Sequence, residues 1–208
     1  MKTKLYIIGA GSVGGHIALN IEGYGNQYEI AGILDDDSSK IGNEIFGYTV
    51  IGSIDEALKL ENAHVVVGIA FPKIKADVIQ KLSLNKTLIY PVLIHKKAWV
   101  SRGVYIGKGS VIYPGNSINY GSEIGDFVIM NMNCALGHHT KIGNFSSLAP
   151  TVSTGGHTCI GNWVDVGIGA STLQNIRVGD HSIIGGQSLV IHNVESDTTV
   201  MGIPAKKK

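Results

Sequence analysis

The sequence predicts two architectures in one chain: a small α/β domain over residues 1–92, and an all-β parallel β-helix over residues 93–208. Three observations predict this. Residues 1–92 alternate short apolar runs with helical stretches. A glycine-rich turn joins the first run to the first helix. From Ile94 onward an aliphatic residue falls at nearly every sixth position, a period that fits neither a helix nor a simple hairpin strand.

In the first part, Leu5 to Ile8 reads as a buried strand, residues 12–23 as a helix, and Glu29 to Leu34 as a second strand. Ile54 to Leu60 follows as a short helix and Val65 to Ile69 as a third strand. Phe71 to Leu82 reads as a helix opened by Pro72, a residue suited to a first helical position, and Thr87 to Tyr90 as a last strand. The alternation implies a small parallel sheet with helices on its faces.

Gly9-Ala10-Gly11-Ser12-Val13-Gly14 follows the first strand directly and opens the first helix, which gives G-x-G-x-x-G its structural meaning. Backbone amides and the helix N-terminus in such a turn can face a phosphate. Asp35 and Asp36 end the second strand, where a Rossmann-like domain places the carboxylate that holds a ribose. The motif suggests a nucleotide without saying which one. The same glycines could serve only the turn and close helix packing. The module is short for a complete dinucleotide site, so a mononucleotide or nucleotide-sugar fits better.

The six-residue series runs Ile94, Val100, Ile106, Ile112, Ile118, Ile124, Met130, Leu136, Ile142, Leu148, Ile160, Val166, Val178, Ile184, Val190, broken only by Thr154 and Thr172. Three hexads would close one triangular coil, with the aliphatic side chains inside the prism. Small residues such as Ser110, Ser122, Cys134, Ser146, Ala170 and Ser188 sit two places before the next aliphatic. Glycine often follows the aliphatic residue, as at Gly107, Gly125, Gly137 and Gly143, where the expectation is a corner with positive φ. The 28 glycines are about double the usual ~7% share.

A net charge of +1 gives no bulk attraction to nucleic acid or membrane surfaces. Cys134 and Cys159 lack the number and spacing of a disulfide framework or zinc site, and Cys134 is expected as a buried thiol. With neither a signal peptide nor an apolar stretch of spanning length, the expected location is the cytoplasm, with no membrane insertion.

His138 and His139 follow Gly137 and should project outward from the prism. A neutral imidazole held in a dry groove can accept a proton, as acyl transfer to an amine or hydroxyl requires; a solvated surface pair is the alternative. His157, His181 and His192 also look outward, no spacing among them compels a metal site, and none is expected. His16 stands beside the glycine loop and could border the nucleotide pocket; His64 and His95 read as structural.

Together the start Ile8-Gly9-Ala10-Gly11-Ser12-Val13-Gly14-Gly15-His16, the Leu34-Asp35-Asp36-Asp37 strand end, the Gly137-His138 hexad with Lys141-Ile142-Gly143-Asn144, and the closing Met201-Gly202-Ile203-Pro204-Ala205-Lys206 resemble the NeuD/PglD-like sugar acetyltransferases of the hexapeptide-repeat class. The resemblance spans essentially the whole chain. It implies a left-handed β-helix, a homotrimer with active sites between neighbouring prisms, acetyl-CoA as donor, and a UDP- or GDP-linked amino sugar as acceptor. It further implies His138 as general base in a direct attack without an acyl-enzyme, with His139 beside it. Ser147, Gly155, Gly156, Ile168, Ala170 and Gly186 would meet the cofactor, an amide near Gly155 and Gly156 serving the oxyanion. Gly9, Gly11, Ser12, Gly14, Asp35, Asp36, Gly68 and Asn131 would meet the acceptor. Two positions depart from the family pattern: His139 stands where relatives usually carry Asp or Glu, and Ser147 where several have another histidine.

The leading expectation is N-acetylation of a nucleotide-linked 4-amino-4,6-dideoxyhexose for a surface glycan. O-acetylation of a sialic-acid-like or other glycan sugar is the close alternative. A non-catalytic β-helix scaffold and a nicotinamide-dependent oxidoreductase are the alternatives from other classes, the latter leaving the repeat unexplained.

Overall fold

The computed structural model describes residues 2–208, which divide into two compact units, one ending at Pro91 and the other running Val92–Lys208.

In the first unit, strands β1 (Thr3–Ile8), β2 (Tyr28–Leu34), β3 (Glu44–Ile45), β4 (Tyr48–Gly52) and β5 (His64–Val67) form one sheet in the order β3-β4-β2-β1-β5. All pairings are parallel except the β3–β4 hairpin. Leu5, Ile7 and Ile8 of β1 are fully buried, as a central parallel strand covered on both faces requires. Helix α1 (Ser12–Leu19) is shorter than the sequence predicts, because the Asn20 side chain bonds the His16 carbonyl at 2.9 Å and a 3-10 turn, Ile21–Gly23, follows. Helix α2 (Pro72–Leu82) starts at its proline. The Ile54–Lys59 segment is a 3-10 helix. Two expectations need correction. The β3–β4 hairpin turns at Phe46-Gly47, both with positive φ, and was hidden because a two-residue strand has no periodicity to read. Residues 87–90 make only an isolated bridge, Ile89 to His64, with Asn85 holding the carbonyls of Ala57, Leu58 and Leu60.

The second unit is a prism of three parallel sheets. Face one stacks Leu93–Ile94, Val111–Ile112, Ile129–Met130, Ser147–Leu148, Asp165–Val166, Ile183–Ile184 and Thr199–Met201, closed by antiparallel Lys206–Lys207. Face two stacks Trp99–Val100, Ser117–Ile118, Ala135–Leu136, Ser153–Thr154, Ser171–Thr172 and Leu189–Val190. Face three stacks Tyr105–Ile106, Glu123–Ile124, Lys141–Ile142, Cys159–Ile160 and Arg177–Val178. Residues eighteen apart therefore lie one above the other, as Ile124 pairs with Ile142 and Ile142 with Ile160. The aliphatic series fills the interior from Ile112 to Val190, and Cys134, Ser110, Ser122, Ser146 and Ala170 are buried with it. The last coil is shorter, since Val178 bridges Val194 and Ile183 pairs with Thr199.

The corner glycines are needed for a different reason than predicted. Positive φ falls two residues later, at Gly109, Gly115 and Gly121 but also at Phe127, His139, Phe145 and His157. Gly143 instead allows close stacking, for a Cβ there would stand 2.5 Å from the Gly161 carbonyl carbon. Two ladders that the aliphatic period does not reveal reinforce the stack. The Asn144, Asn162 and Asp180 side chains each accept the backbone N–H one coil earlier, at 2.8, 2.9 and 2.8 Å. Phe127, Phe145, Trp163 and His181 stack with ring planes within 10° of parallel. The two breaks in the aliphatic series are satisfied pairwise, Thr154 Oγ1 lying 3.0 Å from Thr140 Oγ1 and Thr172 Oγ1 3.0 Å from Thr158 Oγ1. Among the described residues no helix is long and apolar enough to cross a membrane.

Candidate active site

His138 and His139 occupy the corner between Ala135–Leu136 on face two and Lys141–Ile142 on face three, and both project outward. The preceding Gly137 N–H is shared between the Thr154 carbonyl at 3.0 Å and the Thr154 hydroxyl at 3.2 Å, which anchors the peptide that carries His138. The His139 N–H donates to the Tyr120 carbonyl and the His157 N–H to the His138 carbonyl, both at 2.9 Å. Coil stacking thus brings residues 120, 138 and 156 into one column and 121, 139 and 157 into the next.

The His138 ring stacks on Tyr120, with centroids 5.5 Å apart and planes 11° from parallel. On the other side lies Gly156, where a Cβ would stand 2.8 Å from His138 Nε2. The Nδ1 atoms of His138 and His139 are 3.1 Å apart, a hydrogen bond in which one ring donates. When His138 is the donor, its Nε2 carries a lone pair and can accept a proton, while Nδ1–H keeps its partner in the imidazolium that results. The His139 ring in turn stacks on His157 at 4.9 Å and 5°. His139, Lys141, His157, Cys159, Asn175 and Arg177 line an open groove of about 370 Å³ on this corner. Lys141 is paired with Glu123 at 2.9 Å, an interaction that raises its pKa.

Other predicted positions are distributed differently. Gly155 and Gly156 lie one coil beyond Gly137 and His138, but the Gly155 N–H is donated to the Thr172 carbonyl at 3.0 Å and cannot also serve an oxyanion. Ser147 lies on face one, opposite the His138 corner, and is only 5% exposed, so it does not join His138 within one chain. The Ala170 side chain points into the prism at 1% exposure and cannot touch a cofactor. Ile168 and Gly186 are exposed and stacked on the corner between faces one and two, and half-buried Asn131 lies on that same corner. His157 and Tyr120 were missed as members of the His138 cluster, although adding or subtracting eighteen from 139 and 138 finds both.

In the first unit the glycine motif separates into two groups. Gly9, Gly14 and Gly68 are buried, and their lack of a side chain serves packing: a Cβ on Gly68 would stand 2.7 Å from Gly14 Cα, and Gly14 abuts the Gly9 carbonyl. Gly11 and Ser12 are exposed, nothing lies within 4 Å of a Cβ built on Gly11, and Gly11 caps α1 without a side-chain bond. The start of α1 is therefore open to solvent at Gly11 and Ser12, and a helix N-terminus of this kind can meet an anion. The Asp35 carboxylate turns into its own loop, accepting the Ala10 N–H at 2.6 Å and the Asp37 N–H at 2.9 Å and pairing with Lys40 at 3.3 Å. Asp36 is exposed, accepts the Ile54 N–H at 2.8 Å, and stands 3.7 Å from Lys81. His16 bonds the Tyr24 hydroxyl at 2.9 Å, and His95 is buried with its Nδ1 accepting the Lys97 N–H.

Comparison with known proteins places this geometry. Residues 4–82 match the family model described as the PglD N-terminal domain. The whole chain superposes on the acetyltransferase domain of PglB from Neisseria gonorrhoeae FA1090, solved with acetyl coenzyme A, at 28% identity, 100% coverage of both chains and a TM-score of 0.91. The first unit matches a PglD-type N-terminal domain, and the chain along its whole length resembles the NeuD/PglD-like sugar acetyltransferases. Its prism is accordingly the left-handed β-helix of that family. PerB from Caulobacter crescentus, solved with CoA and GDP-perosamine, shares the fold at 24% identity, covering 99% of this chain and 97% of that one with a TM-score of 0.90. Among curated sequences, a serine acetyltransferase of Synechococcus elongatus is 33% identical over 125 residues, 60% of this chain, and one of Buchnera aphidicola is 55% identical over 40 residues, 19% of this chain. The chain spans 46% and 15% of the lengths of those two relatives.

Proposed function

We propose that the protein transfers an acetyl group from acetyl-CoA to the amine of a nucleotide-linked amino sugar, a 4-amino-4,6-dideoxyhexose carried on UDP or GDP. The observation that carries this reading is the His138 imidazole, held outward by Tyr120 and His139 with Nε2 over the bare Cα of Gly156. The acetyl coenzyme A bound to the PglB domain supports the donor, and the CoA and GDP-perosamine bound to PerB support the acceptor class.

In this reading His138 Nε2 takes the proton from the sugar amine as its nitrogen attacks the thioester carbonyl, so no acyl-enzyme forms. The His138 Nδ1–H bond to His139 orients the ring and stabilises its cationic form. The Gly156 N–H stabilises the charge that develops on the carbonyl oxygen, a contribution of about 3–4 kcal/mol for a well-placed donor. The imidazolium then returns its proton to the departing thiolate. Gly11 and Ser12 hold a phosphate of the acceptor at the start of α1, and exposed Asp36, rather than Asp35, meets the nucleoside. Three copies assemble with each His138 corner in a cleft against its neighbour, Ile168 and Gly186 lining the pantetheine path. The product would feed surface glycan assembly from the cytoplasm.

O-acetylation is a second reading, favoured by the curated serine acetyltransferases, whose acceptor carries a hydroxyl. Thiol release with acetyl-CoA and a panel of UDP- and GDP-linked 4-amino sugars, free sialic acid and serine separates the two. Turnover confined to the amino sugars supports the first reading and turnover confined to hydroxyl acceptors the second. No CoA release above background with any acceptor overturns both.

A further inference from the structure

We propose that His138, His139 and His157 form a binding site for a borderline transition-metal ion, Zn2+ above all, and that occupation of this site switches the acetyl transfer off. The site stands on geometry alone; the inhibition rests on the reading of His138 as the base.

One ligand nitrogen from each of the three imidazoles lies within 4.8 Å of the other two. The closest pair, Nδ1 of His138 and Nδ1 of His139, is at 3.1 Å. An ion bonded to nitrogen at ~2.0–2.1 Å in a tetrahedral shell holds its ligand atoms about 3.4 Å apart, so small side-chain rotations complete the site. The backbone of two successive coils fixes the bases of all three side chains, and Gly121 and Gly156 leave the rings room, since a Cβ on either would collide with His139 or His138.

The donor set selects the ion. Three imidazoles without a carboxylate suit Zn2+, Ni2+, Co2+ or Cu2+ and not Mg2+ or Ca2+. His139 and His157 also border the open groove, which leaves a fourth coordination position to solvent. Neutral ligands do not offset the ion's charge, and Lys141 and Arg177 share that groove, so binding is reversible rather than structural. The consequence for catalysis follows from electron counting. A neutral imidazole has one in-plane lone pair; given to a metal ion, it is no longer there to accept the proton of an attacking amine.

The test uses the untagged 208-residue chain and titrates ZnCl2, NiCl2 and MgCl2 calorimetrically into the native chain and into His157→Asn. Asparagine tolerates the positive φ of 57° at this position, and His157→Gln, checked by circular dichroism, is the second variant. The expected result is Zn2+ and Ni2+ binding at one ion per chain, weakened about tenfold or more in either variant, with no Mg2+ binding. In the transfer assay Zn2+ should inhibit the native enzyme reversibly with EDTA, while His157→Asn, each rate taken relative to that protein's own metal-free rate, resists Zn2+ by the same factor. Absence of Zn2+ binding, or equal affinity in both variants, overturns the site. Binding that depends on His157 but leaves transfer unaffected overturns the inhibition and retains the site. A protein that acetylates nothing overturns the proposed function, and the calorimetry still decides the site.

Discussion

Gly156 lies directly beneath the His138 imidazole, and a Cβ built on it would stand 2.8 Å from Nε2 and 2.9 Å from Cε1. The glycine one coil onward is therefore part of what gives the base its position. Gly156→Ala should leave the β-helix folded but push the ring away from its place. A displacement of about 1 Å of a catalytic group can cost on the order of 100-fold in rate. Steady-state kinetics should show kcat reduced about 10- to 100-fold with melting behaviour near native.

The Thr140–Thr154 pair stands behind the same corner, with Thr154 only 8% exposed. Thr154→Val leaves the fully buried Thr140 hydroxyl without this partner, which should cost about 1–3 kcal/mol. Thr140→Val/Thr154→Val removes both hydroxyls and should lie within about 1 kcal/mol of the native protein. Denaturant unfolding of the four proteins in the cycle checks this.

Asp35 links stability of the first unit to pH. Burial alone would raise its pKa, but the amides of Ala10 and Asp37 and the Lys40 ammonium outweigh burial and hold it below 3.8. A carboxyl depressed in the native state contributes stability that is complete above its unfolded pKa and lost as pH falls through the native one. Asp35→Asn should therefore cost about 1–3 kcal/mol at neutral pH, and the two proteins should converge as the solution is acidified below the ordinary carboxylate range. Urea midpoints measured across that range test the sign.

The two thiols should differ in reactivity. Burial pushes the Cys134 thiol up to about 12, and its sulfur contacts the carbonyls of Asn131 and Ala149. Cys159 is half-buried on the groove wall. Iodoacetamide followed by peptide mass mapping should modify Cys159 in the native protein and reach Cys134 only after unfolding.

The six-residue spacing made the prism legible because each coil puts its aliphatic side chains inside; Thr154 and Thr172 break the series, and only the structure shows that their hydroxyls are met by Thr140 and Thr158 respectively. Stacking across coils was harder to read. His157 belongs with His139 only through an eighteen-residue offset, and the Asn144–Asn162–Asp180 ladder follows the same rule. In the first unit, the Glu44–Gly52 hairpin was too short to show a pattern, although Phe46 covers Gly15 so closely that a Cβ on that glycine would stand 2.5 Å from the ring. The glycine motif indicated the right turn but not its division of labour, since only a built backbone separates packing glycines such as Gly14 from an open one such as Gly11. The local role of Asp35 was illegible for a related reason: its carboxylate accepts the Ala10 and Asp37 N–H groups of the adjoining loops, which no spacing in the sequence reveals.

The most direct measurement is acetyl transfer by His138→Ala beside the native enzyme, with acetyl-CoA and a nucleotide-linked 4-amino sugar at saturating concentrations. The account predicts kcat lowered about 100- to 10,000-fold, the scale of a lost general base, with KM for both substrates and the oligomeric state unchanged. A variant that turns over within a few-fold of the native rate would contradict it.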